Sequence, residues 1–165
     1  MTRSPVMRMR QIVDWRATAI AALAGALTFL ISLALLLPGT TGGSLWAVLR
    51  YIASILLGSA VLPPPASFDP TIVFVGLLVH LLLSLIYAAV LTTILHRWGL
   101  IVGLFGGALF GLAIYAINFF TFTLLFEWFY LLRSWPILLA HVLFGAVTGF
   151  IYELLEVERF VPVES

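Results

Sequence analysis

Residues 98–126 read WGLIVGLFGGALFGLAIYAINFFTFTLLF, without one charged side chain. A helix of about 20 apolar residues crosses the roughly 30 Å of hydrocarbon in a bilayer, so this run is long enough for a transmembrane span. Three more apolar runs have comparable length, and the sequence predicts spans at about 16–37, 71–95, 99–126 and 134–154. The predicted fold is an all-α, polytopic transmembrane four-helix bundle that forms one domain.

The composition of the chain also indicates a membrane protein. Hydrophobic residues make up 63% of the 165 residues and charged residues 9%, and the mean hydropathy is +1.19. A soluble domain of this size has too little interior to hide that much apolar surface, so the lipid bilayer is the expected partner. The net charge of +1 argues against binding to nucleic acid, which needs clustered cations. The lack of cysteine excludes disulfides and thiolate metal sites.

Two shorter apolar segments, at about 44–62 and 126–134, are predicted to lie at the outer membrane surface. The first contains Arg50 and is followed by three prolines at 63–65. A charge at the centre of a bilayer costs about 2.5 to 3.5 kcal/mol, which favours an interfacial or re-entrant helix here. A fifth membrane crossing stays the alternative for this segment.

Four charged residues fall in or beside these two outer segments. Arg50 lies in the first segment and Asp69 follows it, and Glu127 and Arg133 belong to the second. We predict an outer charged cap in which Arg50 pairs with Glu127 and Asp69 pairs with Arg133. Because exposed ion pairs contribute little free energy, the cap would add little stability.

The arginine distribution predicts the orientation of the chain. Arg3, Arg8, Arg10 and Arg16 precede the first span, and Arg97 lies between the second and third spans. Loops rich in positive charge stay on the cytoplasmic side of a membrane. With four spans, both termini are therefore predicted to be cytoplasmic, in a multi-pass protein of the bacterial inner membrane.

Small residues recur every fourth position in the third and fourth spans, a spacing that lets two helix backbones approach closely. The residues concerned are Gly99, Gly103, Gly107, Gly111, Gly145 and Gly149. One interpretation is close packing within this bundle. The other is a pore or a seam with a second chain.

The sequence of the first half of the chain is partly repeated in the second half. Residues 20–29 resemble 101–110, and residues 77–80 resemble 138–141. Each half then contains a small-residue helix, an outer segment and a helix with a histidine. We predict a tandem two-helix repeat whose halves run in parallel, as in some transporters.

Four polar residues are predicted to share one layer inside the membrane. Thr28, His80, Asn118 and His141 lie at similar depths in their spans, roughly 10 to 14 Å from the outer surface at about 1.5 Å per residue. Polar groups at that depth are costly unless they are partnered, so they should face one another.

Three interpretations of this polar layer stay open. The side chains could hydrogen-bond across helices and fix their register. His80 and His141 could hold a haem b. The layer could also line a path for protons or small solutes. Two histidines without a third ligand do not make a metal site, and we predict none.

Motifs typical of enzymes are missing from the sequence. It has no Ser-His-acid constellation and no phosphate-binding loop. We therefore expect a non-catalytic integral membrane subunit without a cofactor, packed against other membrane subunits or against itself in a respiratory or photosynthetic complex. The alternatives are a haem b-binding electron-transfer subunit and an oligomeric channel or small-solute or proton transporter.

Several short motifs resemble those of a group of small bacterial membrane proteins similar to the YagU-like inner-membrane proteins. They are VLPPPASFD at 61–69, VH at 79–80, IY at 86–87, NFFTF at 118–122, WF at 128–129 and AHVLFG at 140–145. The resemblance extends over about residues 15–155 and implies a four-helix membrane fold without a stated activity. It also implies that the proline-rich segment, both histidines and Asn118 belong to one shared feature.

Overall fold

The structure, a computed structural model, describes residues 9–41, 43–96, 98–157 and 159–162. The orientation argument from Arg3, Arg8 and Arg97 thus concerns residues outside the described part of the chain. The helices are α1 (Trp15–Thr40), α2 (Leu45–Leu57), α3 (Pro70–Leu95), α4 (Leu100–Phe120) and α5 (Trp135–Leu155), and two strands, β1 (Met9–Ile12) and β2 (Arg159–Pro162), flank them.

Four of these helices, α1, α3, α4 and α5, are long and apolar enough to cross a membrane. The predicted all-α four-helix transmembrane fold is therefore confirmed. The fifth helix, α2, has 13 residues and a length of about 20 Å, less than the roughly 30 Å of hydrocarbon. It is too short for the alternative fifth crossing, and its position at a membrane surface stays a prediction.

The helices begin where short polar side chains satisfy their free backbone N–H groups. The Asp14 carboxylate accepts hydrogen bonds from the first N–H groups of α1. Asp69 does the same for α3, at 2.9 Å from Thr71 N and 3.0 Å from Ile72 N. Pro70 follows Asp69 at the first helical position, where no N–H is needed.

The third predicted span differs from α4 at both ends. Gly99 precedes the helix with φ +83°, so it is not part of the helical glycine face, and that prediction was wrong. The α-helix ends at Phe120 rather than near 126. Two 3₁₀ segments follow, Phe122–Leu124 and Glu127–Leu132, so the predicted outer segment at 126–134 is a 3₁₀ helix rich in aromatic residues.

Strands β1 and β2 pair in an antiparallel ribbon, with Met9 opposite Pro162 and Ile12 opposite Arg159. The sequence analysis did not predict this ribbon. It brings both ends of the described chain to the same end of the bundle, here called the termini end. The opposite end, which contains α2 and the 3₁₀ segments, is called the loop end.

Helix α5 occupies the centre of the bundle, packed along both α4 and α1. Helix α3 packs against α1 and α2 but makes few contacts with α4. In a symmetrical tandem repeat, the pair α3 and α4 would match the pair α5 and α1. The two halves of the chain therefore do not pack equivalently, and the repeat stays a prediction from sequence.

The interface between α4 and α5 is built from glycines that bring the two backbones into contact. A Cβ added at Gly107 would overlap the carbonyl oxygen of Gly145, and one added at Gly145 would overlap that of Gly107. Gly103 and Gly149 form an equivalent pair one turn away. A Cβ at Gly111 would overlap the carbonyl oxygen of His141. Because these faces are covered within the chain, they are not available to a pore or a second chain.

Polar contacts hold the helices together at the termini end. The Thr18 and Thr92 hydroxyls lie 3.0 Å apart between α1 and α3. The Gly99 N–H donates to Glu153 Oε2 at 2.8 Å, which joins the start of α4 to the end of α5. The bundle is thus closed where α3 turns into α4, and any space between these helices lies nearer the loop end.

Candidate ligand-binding cavity

A cavity of about 300 Å³ lies in the loop half of the bundle, where α3 and α4 fail to pack against each other. All five helices and the aromatic segment after α4 contribute to its walls. Phenylalanines dominate the lining, namely Phe29, Phe119, Phe122, Phe126, Phe129 and Phe144. The walls are therefore mostly apolar and strongly aromatic.

The cavity reaches the surface of the bundle beside the end of α4. Phe122 and Leu125 both line it, and their exposed fractions are 43% and 71%. Nearer the termini end, the Leu95 side chain lies against Gly106 and closes the gap between α3 and α4. A membrane around the four spans would place lipid at the open side.

A chain of hydrogen bonds crosses the gap between α3 and α4. Tyr87 Oη donates to Asn118 Oδ1 at 3.0 Å, and Asn118 Nδ2 lies 3.4 Å from His141 Nε2. His141 Nδ1 lies 2.7 Å from the carbonyl oxygen of Ile137. Since a carbonyl only accepts, Nδ1 carries the proton and Nε2 accepts from the amide of Asn118. The hydrogen bonds thus run in one direction, from Tyr87 through Asn118 to His141, and they require the neutral form of His141.

His80 lines the same cavity but takes no part in this series of hydrogen bonds. Its Nε2 lies 3.1 Å from the carbonyl oxygen of Ala26 on α1, to which it donates. The ring of Phe29 packs against both histidines, with its centroid 5.1 Å from His80 and 4.9 Å from His141. His80 and His141 therefore contact the same aromatic ring.

The predicted polar layer is only partly correct. The structure brings His80, Asn118 and His141 to one cavity. The Thr28 hydroxyl instead donates to the carbonyl oxygen of Ala24, on its own helix, at 2.8 Å. Thr28 does not line the cavity, and its hydroxyl already has a partner on its own helix.

The contacts of the two histidines argue against a haem ligated by both. His80 Nε2 lies 3.1 Å from the carbonyl oxygen of Ala26, and the Phe29 ring packs against both imidazoles. Both His141 nitrogens, moreover, are already hydrogen-bonded, so ligation of iron would break the contact with Asn118. Within the described ranges, no three His, Cys, Asp or Glu side chains are grouped so that they could hold a metal ion.

The predicted ion pairs of the outer charged cap are wrong. Arg50 donates to the carbonyl oxygens of Val61 and Ser67, at 2.9 and 3.1 Å, and so holds the loop after α2. The Arg133 guanidinium stacks over two aromatic rings, those of Phe120 and Tyr130, at 4.3 and 4.4 Å.

The acidic partners assigned to these arginines have other surroundings. Asp69 caps α3, and its Oδ1 accepts from two backbone N–H groups of that helix. Glu127 is exposed at the start of its 3₁₀ segment. Each arginine thus finds a partner within or beside its own segment, where less chain must be ordered than in a pair between segments.

Two polar residues of the cavity, Ser84 and Tyr87, were not among the predicted site residues. They follow His80 at i+4 and i+7 on α3, which places all three side chains on one helix face. This spacing was visible in the sequence and could have indicated a polar stripe on α3. The gap beside α4, which makes the stripe accessible, was not visible.

The four long apolar helices define a multi-pass membrane protein of the four-helix-bundle class, with a cavity near the loop end that reaches the surface of the bundle. Comparison with known protein families, with curated proteins and with solved structures found no match. The resemblance to YagU-like proteins stays a prediction. Function is therefore inferred from the fold and the cavity alone.

Proposed function

We propose that this protein is a non-catalytic integral membrane protein that binds a lipid-soluble small molecule inside its helix bundle. The observation that carries the proposal is the aromatic cavity of about 300 Å³ between α3 and α4. Ligand sites in proteins are typically cavities of about 300 to 1,000 Å³ with apolar walls and a few placed polar groups. The Tyr87, Asn118 and His141 chain supplies those groups here.

Other roles predicted from the sequence have less support. A subunit role in a larger complex was motivated by the glycine faces, and these are covered by the chain itself. A solute path through the bundle would need to continue past the cavity, yet Leu95 and the polar contacts at the termini end close that side. Binding of a ligand, unlike a solute path, requires no opening beyond the cavity itself.

A pair of tryptophan substitutions on α2 tests the proposed function. Ile55 lines the cavity, whereas the adjacent Leu56 is exposed on the other face of the helix. We expect the wild-type protein, purified in mild detergent with membrane lipid extract, to retain a lipid-soluble small molecule in native mass spectrometry. Ile55→Trp should lose it because the indole fills the cavity, and Leu56→Trp should keep it. Equal retention by all three proteins, or none by the wild type, would contradict the proposal.

We also propose that the protein resides in the bacterial inner membrane with both termini in the cytoplasm. The supporting observation is the ribbon of β1 and β2, which brings both ends of the described chain to one side. The chain has no cysteine, so a single introduced thiol is a unique label. An impermeant maleimide should label Ala66→Cys, at the loop end, in intact cells, and Val157→Cys only after permeabilisation. The reverse pattern would place the termini outside.

A further inference from the structure

We infer that the cavity recognises an uncharged, planar ring compound with a carbonyl group and a long apolar tail, the chemistry of a prenylated quinone. This inference rests on the proposed function and specifies the class of ligand. Three features of the cavity carry it: an unpartnered hydroxyl, the absence of formal charge on the lining, and an aromatic wall that opens to the bundle surface on one side.

The unpartnered hydroxyl belongs to Ser84. This residue is 3% exposed and lines the cavity, and no hydrogen bond of the described residues involves its hydroxyl. The oxygen is not one of the fully buried atoms without a partner among these same residues, which are Arg133 Nε and Glu153 Oε1, so it can be reached from the cavity. Hydroxyls inside helices commonly donate to the carbonyl four residues earlier, as those of Ser32 and Thr148 do here. A hydroxyl that faces an apolar cavity without a partner costs free energy. A ligand carbonyl oxygen in the cavity would accept from Ser84 and remove that cost.

The residues that line the cavity favour a neutral ligand. No Asp, Glu, Lys or Arg is among them, as far as the structure describes the chain. His141 is held in its neutral form by its two hydrogen bonds, and Tyr87 and Asn118 are uncharged. Burying an unpaired carboxylate or phosphate in apolar surroundings is very costly. Fatty acids and phospholipid headgroups are therefore poor matches.

The shape of the lining favours a planar ring with a tail. Aromatic rings pack on one another in stacked or edge-to-face arrangements, and six phenylalanines surround the space. About 300 Å³ is at the small end of ligand cavities, enough for a ring but not for a long chain. The tail would leave past Phe122 and Leu125, whose exposed side chains mark the open side.

Binding of three probes with the same ten-carbon tail tests the inference. Decylubiquinone has a planar carbonyl ring, decylbenzene has a ring without carbonyls, and undecanoic acid has a charged head. In nanodiscs, we expect decylubiquinone to bind one to one, and the other two at least tenfold more weakly. Ser84→Ala should weaken decylubiquinone binding roughly three- to tenfold through loss of one hydrogen bond. Ser32→Ala, which removes a hydroxyl satisfied by its own helix, should leave the affinity unchanged.

The outcomes separate the two proposals. If decylbenzene binds as tightly as decylubiquinone and Ser84→Ala has no effect, the carbonyl inference is overturned while a ligand-binding cavity stands. A phospholipid as the only species retained from membranes would also overturn it. If no probe binds to the wild type, the proposed function itself fails together with the inference.

Discussion

Replacing Gly107 by alanine is expected to lower the free energy of unfolding by about 1 to 3 kcal/mol. The added methyl group would overlap the carbonyl oxygen of Gly145, which is backbone and cannot rotate away. Helices α4 and α5 would have to separate along the interface that holds them together. Alanine is intrinsically more favourable than glycine in a helix by only about 0.5 to 1 kcal/mol. This gain is smaller than the cost of the overlap between the two backbones.

The matched control for this substitution is Gly39→Ala. Gly39 also lies in a helix, and a Cβ there would have no neighbour within 4 Å. Its replacement should leave stability unchanged or raise it slightly. Both variants can be compared with the wild type by unfolding in mixed micelles of mild detergent and dodecyl sulfate, followed by circular dichroism. Equal stability of the two variants would show that α4 and α5 are not in backbone contact.

Replacing Phe29 by alanine should cost about 3 to 5 kcal/mol, the usual range for removal of a buried aromatic ring. Phe29 is 8% exposed and contacts both histidine rings, so its loss removes packing on α1, α3 and α5 together. The void would join the existing cavity instead of collapsing, because α3 and α4 are already apart.

Leu27→Ala provides the comparison for the Phe29 substitution. Leu27 is on the same helix but 60% exposed, at a position where lipid would fill the space that the side chain vacates. We expect it to cost less than about 1 kcal/mol. The same unfolding assay measures both variants. A cost for Phe29→Ala no greater than for Leu27→Ala would mean that the ring does not join the two histidine helices.

The fold was predictable because lipid leaves the backbone few choices. Without water to satisfy N–H and C=O groups, long apolar segments must form helices. The number of segments long enough to cross the bilayer therefore gives the number of spans. Local exceptions were less predictable. The spacing of Gly99 fits a helical face, but its positive φ places it before the helix. Thr28 lies at the right depth, yet its hydroxyl bonds to its own helix.

The site was harder to predict than the fold because it depends on how helices fail to pack. His80, Asn118 and His141 were identifiable as polar groups in apolar spans. Ser84 and Tyr87 line the cavity only because α3 and α4 do not pack against each other there. The spacing of residues in the sequence does not indicate this gap. The charged residues were misassigned for a related reason. The Asp69 carboxylate accepts hydrogen bonds from nearby backbone N–H groups instead of pairing with a distant arginine.

The pairing of β1 with β2 also constrains how the chain is made. Asp14 accepts a hydrogen bond from the Val157 N–H at 3.3 Å, across nearly the whole sequence, and α1 packs along α5. Contacts of such long sequence separation form late, since the intervening chain must first be ordered. Helix α1 is therefore synthesised long before α5, its main neighbour. It stays in the bilayer without this packing partner until α5 has been inserted.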